Sequence, residues 1–335
     1  MTKFCDAVFE GGGVKGIGLV GGVCGIEAAG YSFENVAGTS AGAIVASLLG
    51  VGYTGTEIKK EMLKLDFNKI QGKDCLTWLG MPGKAVKLAL KNGVYNAVYL
   101  EKWLEGLYKR KGKTCFGDIR TPGTSNDKYK YRFQAVASDL SDNRMLILPR
   151  DLTIFGMNPD QFSISRAVRM SMSIPLFYEP YILTDIYGRK HVIVDGGLLS
   201  NYPMWLLDNQ NSNQPYPTFG LKFSTSSTRE ELYDDDYHTV HRLSGFMKAM
   251  IRTSLDAHDK FYISNSRGDF QRTILISPVI MINGKQKSVS TVYFDIKIEE
   301  QEALFCNGFK AAQEFLRNWN FEKWNSKYRN GSLRQ

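Results

Sequence analysis

Apolar residues recur along this chain in two rhythms, one suited to strands and one to helices. Cys5–Glu10 is a short apolar stretch that runs into "GGGVKG" and then into the small-residue segment Val14–Gly30. "ENVAGTS" repeats the move and leads into "SAGAIVASLLGVG", also built of small apolar residues. Strand, helix, strand, helix at these lengths predicts a right-handed βαβ unit and a parallel strand pair. Helical spacing returns at Thr56–Leu65 and in "NAVYLEKWLEGLYKR", where Val98, Leu100, Trp103, Leu104 and Leu107 share a face. "YRFQAVASDL" and "RMLILP" read as strands parted by "SDN", either a hairpin or a strand and a loop. "SISRAVRMSMSIPLF" is helical until Pro175 stops it. "YILTDIYGRKHVIVDGG" is a hairpin turning at Tyr187-Gly188, and "PTFGLKFS" and "QRTILISPVIM" are strands. "HRLSGFMKAMIRTSLDAHD" is an amphipathic helix, a packed element or a lid over an acyl groove. A long helix over "IEEQEALFCNGFKAAQEFLRNW" closes the pattern, with Asp295 and Glu299 near its start.

Composition narrows the class without deciding it. The chain has 335 residues, 43% hydrophobic and 23% charged, which is globular. No apolar run reaches the ~20 residues that cross a bilayer, and the first strand leaves no room for a signal peptide. Five scattered cysteines with no C-x-x-C pair argue against disulfides or zinc and for a reducing, cytoplasmic setting. The net charge of +8 suits nucleic acid or an anionic membrane surface. No nucleic-acid-binding motif is present. Asp234, Asp235 and Asp236 lack the spacing of a calcium loop.

The glycine turn poses the chemical question. Gly11, Gly13 and Gly16 fit the dinucleotide spacing G-x-G-x-x-G. That reading needs an acid at the end of the second strand, ~20 residues on. The strand ends instead at Gly38-Thr39-Ser40-Ala41-Gly42. This is G-x-S-x-G between a strand and a helix, the arrangement that holds a serine hydroxyl out at a sheet edge as a nucleophile. A serine attacking an ester makes an oxyanion, and neighbouring N–H groups stabilise it by about 3 kcal/mol each. Gly11, Gly12 and Gly13 can present such groups without side chains in the way. The base is harder to find. His191 lies inside a strand, and His238, His241 and His258 lie on or beside one helix. Asp195, ending the apolar "VIVDGG", is the better candidate, since burial can lift a carboxylate from its ordinary range.

Together, Gly11–Gly16, Gly38–Gly42 and Asp195–Gly197 resemble the ordered motifs of the patatin-like phospholipase family. "KTCFGDI", "FQAVASDL", "AVRMSMSIPLFYEP", "VDGGLLSNYPM" and "YFDIKIEEQEALFCNGFKAAQEFL" extend the likeness to about Leu316. The resemblance implies a three-layer α/β/α fold with a central, mostly parallel sheet. It implies a catalytic domain over residues 1–316 and a basic, aromatic tail over 317–335. It implies a Ser40–Asp195 dyad, an oxyanion hole at Gly11, Gly12 and Gly13, and no cofactor or metal. Lys15 stands where many members carry arginine, as a phosphate contact or a structural ion pair. The implied substrates are phospholipids or other acyl lipids, with peripheral membrane contact and no nucleic acid. The tail mixes Trp319, Phe321, Trp324 and Tyr328 with Arg317, Lys323, Lys327 and Arg329, as an interfacial anchor or as a packed helix with a frayed end. Two other readings stay open: a Ser–Asp–His esterase on small soluble esters, and a non-catalytic lipid-binding protein.

Overall fold

The computed structural model describes residues 3–70, 90–124, 126–208, 215–224, 268–291 and 293–329, with the single positions 88 and 253. Of the Met- and Phe-rich helix expected over His238–Asp256 only position 253 is described, and Asp234–Asp236, His258 and Cys75 lie outside the described residues.

The protein is a three-layer α/β/α structure around a mixed, mostly parallel sheet. The leading βαβ unit forms as the hydrophobic pattern predicts. Strand β1 (Lys3–Phe9) and β2 (Tyr31–Thr39) pair in parallel across helix α1 (Gly16–Ala28), and α2 (Ala41–Gly50) follows β2. One turn of 3₁₀ helix, Gly13–Lys15, comes before α1, so the α-helix starts later than Val14. α3 (Gly55–Leu63) is begun by a capping box between Thr54 and Glu57.

Strands β4 (Phe133–Asp139) and β5 (Arg144–Leu148) settle the open alternative as an antiparallel hairpin. Short β3 (Gly93–Tyr95) and β6 (Leu176–Tyr178) pair apart from the main sheet. Between them run α4 (Val98–Arg110) and α5 (Ile164–Ser171). α5 ends four residues short of Pro175. β7 (Tyr181–Thr184) and β8 (Lys190–Asp195) make the expected hairpin. β9 (Thr218–Phe223) and β10 (Thr273–Ile276) extend the parallel half beyond β1. The apolar run after Gln271 is two strands rather than one. Pro278 parts β10 from β11 (Val279–Ile282), which turns back onto β12 (Lys285–Ser288). The full order is β10-β9-β1-β2-β4-β8-β7, with β5 on β4.

Alternation along the strands assigns the two faces. Ala7, Phe9, Val36 and Ala135 join the large core with α1 and α2. Val8, Ala37 and Val136 point the other way and are covered by Tyr202, Met204, Leu206 and Leu207.

The closing helix α6 (Ile298–Arg317) packs along α1 at backbone contact. A Cβ on Gly21 would stand 2.0 Å from the Phe305 carbonyl oxygen, and one on Gly308 1.9 Å from that of Gly18. Glycine is poor in helix interiors by about 1 kcal/mol each, so this close packing offsets what α1 loses in propensity. The capping carboxylate of α6 is Glu300, which accepts from Lys297 N–H at 3.0 Å; neither Asp295 nor Glu299 fills that role.

The tail forms a further helix, α7 (Phe321–Tyr328), in which Trp324 is buried. Its indole N–H donates to Gly268 O at 2.8 Å. Trp319 packs edge-on against Phe219. The Arg272 and Arg329 guanidiniums lie over the Trp324 ring, and both reach Asp208. These two indoles are therefore bound into the core, as the packed-helix alternative requires.

Candidate active site

The glycine turn and the serine turn leave the sheet side by side. Phe9 pairs with Gly38 at the ends of β1 and β2, so both loops open on one carboxyl edge. A Cβ on Gly11 would fall 3.3 Å from Ser40 Cβ and 2.2 Å from Asn201 Oδ1. The flanking glycines of G-x-S-x-G have the steric reason the motif suggests. A Cβ on Gly38 would meet the Gly42 carbonyl carbon at 2.5 Å, and one on Gly42 the Phe9 carbonyl oxygen at 2.3 Å. Between them Ser40 takes φ +53°, ψ −122°, a strained backbone for a side-chain-bearing residue. Its N–H donates to Ser171 Oγ at 3.0 Å.

Asp195 reaches this point by a route the parallel-sheet picture did not contain. β4 keeps β5 on one side from Ala135 to Asp139. Its other side is shared: β2 pairs with Phe133–Val136, and β8, running antiparallel, pairs with Ala137–Asp139. β2 ends at Thr39 opposite Val136, and β8 ends at Asp195 opposite Ala137. The two strands abut end to end beside β4, and their last residues lie at the same height. A Cβ on Gly196 would stand 2.1 Å from Val136 O, so glycine is needed where β8 turns off.

The Asp195 carboxylate is buried. Oδ1 accepts from Gly197 N–H at 2.7 Å. Oδ2 is buried without a hydrogen-bond partner. Loss of solvent pushes the carboxyl up to about 7, while the Gly197 N–H and the Ser40 hydroxyl draw it back. The serine hydroxyl thus lies close enough to act on the carboxylate without closing a hydrogen bond of ordinary geometry.

The three loop glycines differ. Gly11 N–H donates to Asn201 O at 3.0 Å, and Asn201 Nδ2 donates back to Gly11 O at 3.3 Å. The N–H groups of Gly12 and Gly13 meet no acceptor among the described residues. Gly13 has φ +55°, and a Cβ there would strike the Thr291 carbonyl oxygen at 2.0 Å. The first N–H groups of α2 also lack intrahelical acceptors by construction. The Lys15 ammonium lies 4.7 Å from the Phe223 ring centre and acts on Glu10, the residue before the glycines. Burial pushes the Glu10 carboxyl up against the pull of Lys222, which bonds it. Glu10 also accepts from Phe223 N–H at 2.6 Å.

His191 stands four residues before Asp195 on β8, about 13 Å up the strand. Its Nδ1 bonds Asp139 Oδ2 at 3.0 Å, and Asp142 and Asp185 lie near it at 3.7 and 3.6 Å. His238, His241 and His258 lie outside the described residues. Asn201, Ser171 and Ser173 carry no sequence signal of their own, although they lie in the blocks "VDGGLLSNYPM" and "AVRMSMSIPLFYEP". Only the fold brings those blocks to the loops they touch.

The family profile described as a patatin-like phospholipase matches residues 7–208. An uncharacterized protein of Bacillus subtilis, YqhO, is 34% identical over 322 residues, covering 95% of this chain and all of that one. An uncharacterized protein of Acanthamoeba polyphaga mimivirus, R571, is 26% identical over 93% of this chain and 94% of its own. Among solved structures, VipD from Legionella pneumophila superposes with a TM-score of 0.47 at 18% identity, over 94% of this chain and 67% of that one.

Proposed function

Because the chain belongs to the patatin-like phospholipase family, we propose that it is a lipid acyl hydrolase working through Ser40 and Asp195. Ser40 Oγ attacks the ester carbonyl carbon, and its proton passes to Asp195 Oδ2. The C–O π bond opens to an oxyanion, which the Gly12 and Gly13 N–H groups receive, with Gly11 holding the loop through Asn201. Collapse breaks the ester C–O bond, and the leaving alkoxide takes the proton from Asp195. Water then attacks the acyl-enzyme by the same steps and releases fatty acid and free Ser40. Lys15 supports the loop through Phe223 and Glu10 in this reading, and a phosphate contact is not required of it. The substrates are phospholipids or lysophospholipids presented at a membrane surface, to which a net charge of +8 draws the protein.

One observation carries the proposal: a buried Asp195 oxygen without a partner, on a carboxyl lifted to about 7, at the serine turn. A carboxylate in its ordinary range is a poor base at neutral pH; one near 7 is matched to the task. The test is a panel of phospholipids and lysophospholipids with product analysis, with and without chelator, on wild type, Ser40→Ala and Asp195→Asn. Hydrolysis by wild type alone supports the dyad. Activity retained in Asp195→Asn but lost on replacing His238, His241 or His258 would establish the triad instead. Failure of a fluorophosphonate to label Ser40 in folded protein would favour a lipid-binding role without catalysis.

A further inference from the structure

The turn that ends α5 touches both members of the proposed dyad. Ser171 Oγ accepts the N–H of Ser40, and the Ser173 carbonyl oxygen accepts the N–H of Asp195 at 2.9 Å. Two residues apart on one turn, they grip the backbones of the nucleophile and the base from the same side. Neither bond belongs to the sheet. β2 and β8 only abut beside β4, so no ladder bond ties Thr39–Ser40 to Asp195 directly. The gap is bridged by this turn.

The turn is itself keyed by a buried cation. Arg169 is only 5% exposed. Its Nη1 donates to Ser173 Oγ, and its Nη2 donates to Glu179 O at 2.7 Å. The Ser173 hydroxyl donates in turn to Arg169 O at 2.7 Å. Burial draws the guanidinium below its usual range, while Glu101 works against that pull. It faces no carboxylate within ion-pair distance among the described residues. A guanidinium kept in so dry a place, and bonded to a hydroxyl and a carbonyl, fixes geometry more than it adds stability.

We propose that Arg169, Ser171 and Ser173 form a positioning clamp that sets the approach of Ser40 to Asp195. This rests on the dyad reading above. None of the three touches substrate. Arg169 holds the turn closed, Ser171 fixes the strained serine amide, and Ser173 fixes the amide of the base. Loosening the clamp lets the carboxylate drift from the hydroxyl and admits water to it.

The test uses the full chain in four variants, Ser171→Ala, Ser171→Thr, Arg169→Met and Arg169→Lys, each checked for folding by circular dichroism and melting. A soluble acyl ester reports kcat and KM across pH 5–9, and a fluorophosphonate reports the labelling rate of Ser40. Ser171→Ala and Arg169→Met should lose on the order of 10- to 100-fold in kcat with KM little changed. Ser171→Thr, which keeps the hydroxyl, should recover most of the loss. Arg169→Lys, which keeps charge but not the fork, should recover little. In Arg169→Met the acid limb of the pH profile should move down from near 7, as water reaches Asp195. A folded Ser171→Ala and Arg169→Met with wild-type kcat, labelling rate and pH limb would overturn the clamp, as would a loss matching only the unfolded fraction. Ser40→Ala and Asp195→Asn run alongside separate the two readings. If these are inactive and the clamp variants are wild type, the clamp alone falls. If wild type neither hydrolyses nor labels, or Asp195→Asn stays active, the dyad falls and the clamp with it.

Discussion

Replacing Asp195 by asparagine isolates the electrostatic argument, since the shape is kept and only the ionisation is removed. In the folded protein burial raises this carboxyl from an ordinary 3.8 to about 7. The folded state therefore holds a proton that the unfolded chain has released between those two values. Stability from this group is fully present below about pH 4 and is lost as pH rises through about 7. A shift of about 3 units at 1.36 kcal/mol each sets an upper bound of about 4 kcal/mol. Every other group titrates alike in both proteins, so the stability of Asp195→Asn minus that of wild type should climb by a few kcal/mol between pH 4.5 and 8. Urea unfolding at both pH values measures it. The same proton controls the chemistry: kcat/KM of wild type on a soluble ester should rise to a plateau through about pH 7. Asp195→Asn should be down by on the order of 10³-fold at that plateau. A stability difference that is flat with pH, or an acid limb near 4, would refute the buried-base argument.

Three further outcomes follow from local geometry. Ser40→Gly removes the strained φ of +53° together with the hydroxyl. It should abolish hydrolysis while raising stability by about 1–3 kcal/mol, read from the melting temperature. Gly106 lies in α4 with open space around a built Cβ, so Gly106→Ala should gain about 0.5–1 kcal/mol in urea unfolding without changing activity. Arg272 is fully buried against Asp269 and Asp208, and Arg272→Met should lose about 3–5 kcal/mol on the same assay by leaving carboxylates uncompensated.

Much of the first half of the site was legible in the residues because it is local. G-x-S-x-G sits on one strand–turn–helix, and the neighbouring glycine loop belongs to the adjacent parallel strand, so spacing alone brings Gly11 near Ser40. Asp195 is a candidate in the sequence because it ends a buried strand, and the structure brings it to the serine edge by another route than a parallel strand: an antiparallel strand that abuts β2 on the shared side of β4. Periodicity reads the faces of a strand and is blind to its direction and neighbours. Asn201, Ser171 and Arg169 are hidden for a related reason: polar residues in loops and at a helix end carry no periodic signal for their partners, and their bonds run from within one turn to 190 positions apart. The end of α5 was misplaced because Pro175 marks where a helix must have stopped, not where it does.

The contacts of Gly13 and α1 with distant parts of the chain set an order of assembly. Val14 N–H bonds Thr291 O, and α1 lies in backbone contact with α6. The glycine loop and its helix are separated from these partners by about 280 residues of chain. Closing so long a loop delays folding, because the entropy of bringing the ends together precedes any contact that rewards it. A growing chain can carry Ser40 and Asp195 long before it can hold the loop that faces them. The glycine loop and α1 are thereby held in place by contacts with segments about 280 residues away in the chain, so their order depends on α6 having packed.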